Sequence, residues 1–372
     1  MNELNNHKPL KILMTTDTIG GVWSYSVELC KALQFRNVHF HLVTTGAPMQ
    51  PAQREEIERL KNVTIYETEF LLEWMESPWQ NIDASGAWLL RLADKLKPDL
   101  VHLNCYAYGS LPWKAPVIIV AHSDVFSWWL AVKGSYPPAE WNEYFKRVYN
   151  GLQQADFIIA PSRATMNSIR KIYFATAPGK VIYNGRSAGM FYPVRKQPYV
   201  CSIGRIWDEA KNIHLLVQAA KQFPFAVRLA GDTGFGNEQF STTGVNITHL
   251  GRLSASKAAM ELSAASIYVL PAKYEPFGLS ILEAALSGCA LVLGKIESLK
   301  EIWKDSALYV DTNDAGKLAH TIKVLVENDE ARSHYSRKAM ERAKKYTTSA
   351  MSASYMQVYT TILQNKKELA NL

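Results

Sequence analysis

Two carboxylates eight positions apart bracket a turn in Lys273-Tyr274-Glu275-Pro276-Phe277-Gly278-Leu279-Ser280-Ile281-Leu282-Glu283-Ala284. The apolar run Ser266 to Leu270 before them reads as a buried strand, and the residues from Leu279 to Leu286 have the apolar content of a packed helix. Pro276 and Gly278 therefore turn a strand into a helix. The amides of their neighbours then point along the new helix axis. Glu283 falls about one turn inside that helix. A carboxylate among Ile281, Leu282, Ala284 and Ala285 is costly unless hydrogen-bonded. Sugar or ribose hydroxyls would serve as donors, and so would an Arg or Lys elsewhere in the chain.

Two other loops carry phosphate chemistry. In Gly204-Arg205-Ile206-Trp207-Asp208-Glu209-Ala210-Lys211-Asn212, two cations flank a loop between an apolar strand and a helix. Arg205 can fork two phosphate oxygens and Lys211 can add a point charge. A solvated loop with a local Lys–Glu pair fits the same residues. In Thr16 to Ser24, Gly20 and Gly21 follow the first strand and open the first helix, a place where backbone amides can approach phosphate closely. An ordinary tight turn reads the same way.

The elements that must position these loops alternate. Short Val- and Ile-rich runs recur at Lys11 to Met14, His39 to Thr44, Leu100 to Leu103, Val117 to Ala121, Phe157 to Ala160 and Lys180 to Tyr183. Helical periods lie between them at Ser24 to Gln34, Ala87 to Leu96, Trp141 to Gln154 and Arg163 to Tyr173. The alternation restarts at Tyr199 and runs to Glu327, after the proline-flanked join Phe191 to Pro198, and a last helix spans Thr348 to Gln364. The pattern predicts an α/β protein of two Rossmann-like, doubly wound domains, residues 1–195 and 196–347, facing one cleft. Residues 348–364 are expected to join the first domain by resemblance to the family named below.

Composition narrows the class. Apolar residues make up 48% and charged residues 20%, which suits a globular chain and not a disordered one. The net charge of +7 is spread over both halves, so no stripe reads as a nucleic-acid footprint. No apolar run reaches the roughly 20 residues of a bilayer span, and the polar start lacks a secretory signal core. Cys30, Cys105, Cys201 and Cys289 have no metal-ligand spacing and read as free buried thiols in a reducing cytoplasm.

With Glu275 and Glu283 at this spacing, the chain resembles the retaining GT-B glycosyltransferases of family 4. Gly20-Gly21-Val22, Val120-Ala121-His122-Ser123, Ala160-Pro161-Ser162, Val181 to Gly185, Gly204-Arg205 with Lys211, and Leu250-Gly251-Arg252-Leu253 are similar to that family's other markers and keep its order. The resemblance implies a GT-B fold and a nucleotide-sugar co-substrate, with no cofactor and no metal. Arg205, Lys211 and the Gly21 amide would hold the donor diphosphate, Glu283 the ribose and the backbone around Arg252 the base. Glu275, with the amides of Phe277, Gly278 and Leu279, would orient the sugar, and His122 would lie at its reacting face. Transfer would proceed with retention to an acceptor sugar, lipid-linked sugar or small molecule.

The chain departs from the family at Arg186 and Ser187, where an apolar residue and Asp are usual, at Asn212, where Gly is common, and at Lys295. None of these is expected to touch the phosphate or ribose contacts. Two alternatives share the architecture: a nucleotide-sugar 2-epimerase, and a non-catalytic sugar-nucleotide-binding protein. Phe126, Trp128, Trp129, Leu130, Val132 and Lys133 form an aromatic-basic patch that reads as pocket wall or core before it reads as a peripheral membrane contact at the inner face.

Overall fold

The structure is a computed structural model that describes residues 8–235, 238–239 and 244–370. Its strands in chain order are β1 (Leu10–Asp17), β2 (Val38–Thr45), β3 (Val63–Tyr66), β4 (Leu100–Leu103), β5 (Val117–Val120), β6 (Phe157–Ala160), β7 (Gly179–Val181), β8 (Gln197–Ile203), β9 (Ala226–Ala230), a small hairpin β10 (Gly234–Phe235) and β11 (Glu238–Gln239), β12 (Ile247–His249), β13 (Ala265–Leu270), β14 (Ala290–Gly294) and β15 (Leu308–Val310). The α-helices are α1 (Gly21–Ala32), α2 (Pro51–Glu58), α3 (Trp79–Leu96), α4 (Val125–Lys133), α5 (Asn142–Gln154), α6 (Arg163–Tyr173), α7 (Ile213–Ala220), α8 (Ala255–Ala264), α9 (Leu279–Leu286), α10 (Glu297–Trp303), α11 (Ala315–Glu327), α12 (Asp329–Ala343) and α13 (Thr348–Ala370).

Two parallel sheets result, ordered β3-β2-β1-β4-β5-β6-β7 and β12-β9-β8-β13-β14-β15. Strands β4, β5, β13 and β14 are buried along their whole length, as helix cover on both faces of a parallel sheet requires. Strand order reverses between β1 and β4 in one sheet and between β8 and β13 in the other. The loops that leave these four strands are therefore where a doubly wound sheet opens a ligand crevice, and three of them are the loops singled out for their chemistry.

Helix α13 returns to the first sheet. Its Met351, Tyr355, Val358, Tyr359 and Ile362 enter one core with Ile12 and Met14 of β1 and Leu29 of α1. His102 of β4 sits fully buried beneath it, with Tyr359 Oη 2.8 Å from Nδ1 and Tyr25 Oη 3.2 Å from Nε2. Burial pushes the His102 imidazole down to about 3, so it is neutral and uses one nitrogen as donor and one as acceptor.

Several elements differ from the periodicity reading. Helix α12 was missed because only Ala339 and Ala343 of its residues are buried, which leaves no apolar stripe to count. Strand β8 begins at Gln197 inside the expected join, with Pro198 tolerated near the strand's start. Helix α13 runs on to Ala370, past Gln364, after its side chains leave the core. Cys105 is half-buried and lines the cleft, while the other three thiols are buried. No helix among the described residues is long and apolar enough to cross a membrane.

Tyr359→Phe keeps the ring and strands one nitrogen of His102. It should cost about 1–2 kcal/mol in urea unfolding, and an unchanged midpoint would show that the α13 contact is apolar packing alone.

Candidate functional site

The ends of β1, β4 and β5 face those of β8 and β13 across a cleft of about 950 Å³. Gly21, His122, Arg205, Lys211, Glu275, Phe277, Gly278, Leu279 and Glu283 all line it. Arg252 does not. It lines a smaller depression with Asp232 and His249, and its neighbour Leu253 reaches the cleft.

Close backbone packing builds the second-sheet wall. Gly231 follows β9 at φ 137°, and a Cβ there would lie 1.7 Å from the Gly204 carbonyl oxygen, so the loops after β8 and β9 can touch only through glycine. Asn212 adopts the left-handed conformation at φ 56°, and its side-chain amide donates to the carbonyls of Pro271 (2.9 Å) and Thr312 (2.8 Å). Asn is among the few residues that reach this conformation cheaply, and here it also fastens the Lys211 loop to the chain after β13. Lys211 Nζ lies 2.5 Å from Glu275 Oε2, and Arg205 reaches Asp208 at 2.8 Å. Burial raises the Asp208 carboxyl, but Arg205, Lys211, the Trp128 indole and the Ala210 amide outweigh it and hold it below the usual range. Gly278, at φ 88°, turns the chain into α9.

Glu283 corrects the sequence reading. Its Oε1 lies 2.8 Å from Arg186 Nε, and Arg186 donates through its terminal nitrogen to Glu28 Oε1 of α1 at 2.7 Å. The departure at Arg186 therefore does touch the carboxylate expected to meet ribose, and the intramolecular cation weighed as an alternative partner exists. Its contacts lie far off in sequence, so spacing gives no sign of it. Burial raises the Glu283 carboxyl, Arg186 opposes this, and Glu28 adds to it.

The first-sheet wall carries three acids that motif reading missed. Asp17 is raised to about 7 by burial, against the Ile19 amide and Arg205. Glu73 is likewise raised to about 7 by burial, although it accepts the amides of Tyr106 and Ala107. Asp124 caps α4 through the Ser127 amide at 2.8 Å and accepts the Tyr173 hydroxyl at 2.8 Å. The signal for Asp124 was its place two residues after His122, ahead of an apolar helical run. Glu73 had none. His122 Nε2 lies 2.8 Å from Asn104 Oδ1, and burial with nearby His102 pushes its imidazole down to about 3, so it is neutral. Trp128 and Trp129 form cleft wall, as the pocket reading expected. Trp128 Nε1 donates to Asp208 at 3.1 Å and Lys133 pairs with Glu209 at 2.7 Å, so α4 bridges to the second sheet's loop. Among the described residues no three His, Cys, Asp or Glu side chains form a metal-holding cluster.

Two Rossmann-like parallel-sheet domains around such a cleft define the GT-B class. Residues 19–188 match the model of Glycosyltransferase Family 4, and residues 192–342 match Glycosyl transferases group 1. The chain is 23% identical over 303 residues to an alpha-maltose-1-phosphate synthase of Mycolicibacterium smegmatis, covering 70% of this chain and 76% of that one. Matches to two mannosyltransferases span under half the length of those proteins. Among solved structures, a sucrose-phosphate synthase from Thermosynechococcus elongatus superposes with TM-score 0.82 at 20% identity, over 95% of this chain and 99% of that one. Anabaena Alr3699/HepE in complex with UDP and glucose superposes with TM-score 0.74 at 17% identity, over 95% and 100%. The chain belongs to glycosyltransferase family 4 and is a GT-B glycosyltransferase.

Asn212→Ala removes two hydrogen bonds at a left-handed residue and should destabilise by about 2–4 kcal/mol. Asn212→Gly loses the bonds without the backbone strain and should cost less. Denaturant unfolding ranks the two, and equal losses would remove the role given to the backbone.

Proposed function

We propose that the protein transfers a sugar from a nucleotide-sugar donor, a UDP- or GDP-sugar, to an acceptor with retention at the anomeric carbon and without a metal ion. The acceptor belongs to the sugars, lipid-linked sugars or small molecules. The observation that carries this reading is the meeting of Arg205, Lys211 and the start of α9 on one wall of the cleft, opposite Gly21 and His122 on the other.

In this reading the donor diphosphate lies between Arg205, Lys211 and the amides at Gly21 and at Phe277 to Leu279. Lys211 is held by Glu275 at 2.5 Å, so the phosphate would share the ammonium with that carboxylate. Glu275 in turn is fixed by Ser298, whose hydroxyl donates to its backbone carbonyl at 2.6 Å, and it orients the sugar beside the phosphate. Glu283 takes the ribose hydroxyls. Neutral His122 offers hydrogen bonding, not charge, at the sugar's reacting face. When the bond from the anomeric carbon to the diphosphate oxygen breaks, negative charge grows on the leaving group beside these cations, which do the work a divalent ion does in other sites. The acceptor oxygen then bonds to the same face of the sugar and its proton passes to the departing phosphate. The structural neighbour's complex with UDP and glucose supports the choice of donor class.

Arg205→Ala and Lys211→Ala should each weaken UDP or GDP binding by about 1.5–3 kcal/mol, read by calorimetry. Unchanged affinity in both variants would overturn the phosphate assignment. Transfer or slow hydrolysis of a UDP- or GDP-sugar should also persist in EDTA. Complete loss restored by Mg²⁺ or Mn²⁺ would overturn the metal-free mechanism.

A further inference from the structure

Arg186 stands between the two sheets, in the segment that leads from β7 to β8. Its guanidinium reaches Glu28 of α1 at 2.7 Å on one side and Glu283 of α9 at 2.8 Å on the other. The three side chains are 7%, 7% and 14% exposed, so a cluster of one cation and two carboxylates lies almost out of water. Glu283 is the member that lines the cleft.

The guanidinium is held from several directions. The Arg186 amide donates to the Tyr346 carbonyl at 3.0 Å, and its guanidinium carbon lies 5.1 Å from the centre of the Phe191 ring. Gly185 before it leaves no latitude, since a Cβ there would lie 2.2 Å from the Thr347 carbonyl oxygen. Glu28 also accepts the Ser187 amide at 3.3 Å, which ties this segment to α1 a second time. Yet the Nε–H of Arg186 is buried and out of line for a hydrogen bond, although Glu283 Oε1 is within ion-pair distance. A buried donor left out of line is costly, and a small rotation of the Glu283 carboxylate would align it.

We propose that Arg186 is a positioning residue for nucleotide recognition: it fixes Glu283 for the donor's ribose and makes that contact depend on Glu28 of the first domain. The proposal rests on the donor reading above. Without Arg186 the buried Glu283 carboxylate would lose the cation that favours its charged form, and an uncharged Glu283 is a poorer acceptor for hydroxyl donors. Binding ribose supplies donors to the excess negative charge of the cluster. The first domain thereby contributes to ribose binding through a residue that never touches the nucleotide.

The test is titration calorimetry with UDP, GDP and their 2′,3′-dideoxy counterparts, alongside melting curves. The native protein should prefer the ribonucleotide by roughly 10- to 100-fold. In Arg186→Met that preference should collapse, while the dideoxy affinity, set by the phosphate cations, stays as it was. Glu28→Gln retains Arg186 and its pair with Glu283, so it is the milder variant; the lost anchor lets the guanidinium, and Glu283 with it, shift, so it should shrink the preference in the same direction although it also lifts a charge that disfavours ionised Glu283. An equal loss for ribo- and dideoxynucleotide, or an unchanged ratio in folded Arg186→Met, would reduce the cluster to structural glue and overturn the proposal. If Arg186→Met fails to fold, an unchanged ratio in Glu28→Gln overturns it. A native protein that binds UDP or GDP without preferring ribose refutes the proposal and leaves the donor reading standing. A native protein that binds neither refutes both.

Discussion

Taking a guanidinium out of water is unfavourable unless its charge is balanced and its five N–H donors are met. Arg186 balances its charge by drawing one carboxylate from α1, beside the first sheet, and one from α9, beside the second. The burial of this one residue thus draws on both domains. Other cross-domain contacts follow the same sense. Lys133 and Trp128 of α4 meet Glu209 and Asp208 on the Arg205 loop, and Tyr274 Oη lies 3.4 Å from the Asp124 amide. Polar clamps thus join the domains at the cleft, beside the apolar contact of Leu279 of α9 with the first domain's core.

What the sequence revealed follows from how far each interaction reaches. The strand ends and loops that make the cleft were legible because a doubly wound sheet leaves local traces, apolar runs and glycines at fixed places. Gly21, Lys211, Glu275 and Glu283 could be placed on one cleft for that reason. The partner of each charge was not legible. Glu28 and Arg186 are 158 positions apart, and nothing near either residue announces the other. Glu73 was invisible in the same way. It lies outside regular secondary structure and acts by accepting the amides of Tyr106 and Ala107 at the start of a single 3₁₀ turn. Helix α12 shows the converse, an element whose exposed polar surface hides it from a reading that looks for apolar stripes.

The departures from the family pattern turn out to differ in weight. Asn212 stands in for glycine by sharing its left-handed conformation and then adds two hydrogen bonds that glycine could not make. Lys295 follows Gly294, whose absent side chain is dictated by the Ala272 carbonyl oxygen 2.1 Å from where a Cβ would be, so the constraint stops at Gly294 and leaves its neighbour free to vary. Arg186 changes the electrostatics of the site itself.

The acids of the first-sheet wall pose a problem that their environment resolves. An anionic diphosphate would be repelled by three ionised carboxylates at Asp17, Glu73 and Asp124. Burial raises all three, to about 7 for Asp17 and Glu73. Raised that far, the first two are held toward their protonated forms, in which each can donate a hydrogen bond as well as accept one. The wall facing Arg205 and Lys211 is thus polar with much of its negative charge withheld. If an anion between the walls is held by the cations, it adds its own repulsion to Asp17, the acid that senses Arg205, and so favours the protonated form there. Binding of such an anion would in that way be linked to proton uptake at Asp17, and the linkage needs no contact between Asp17 and the ligand.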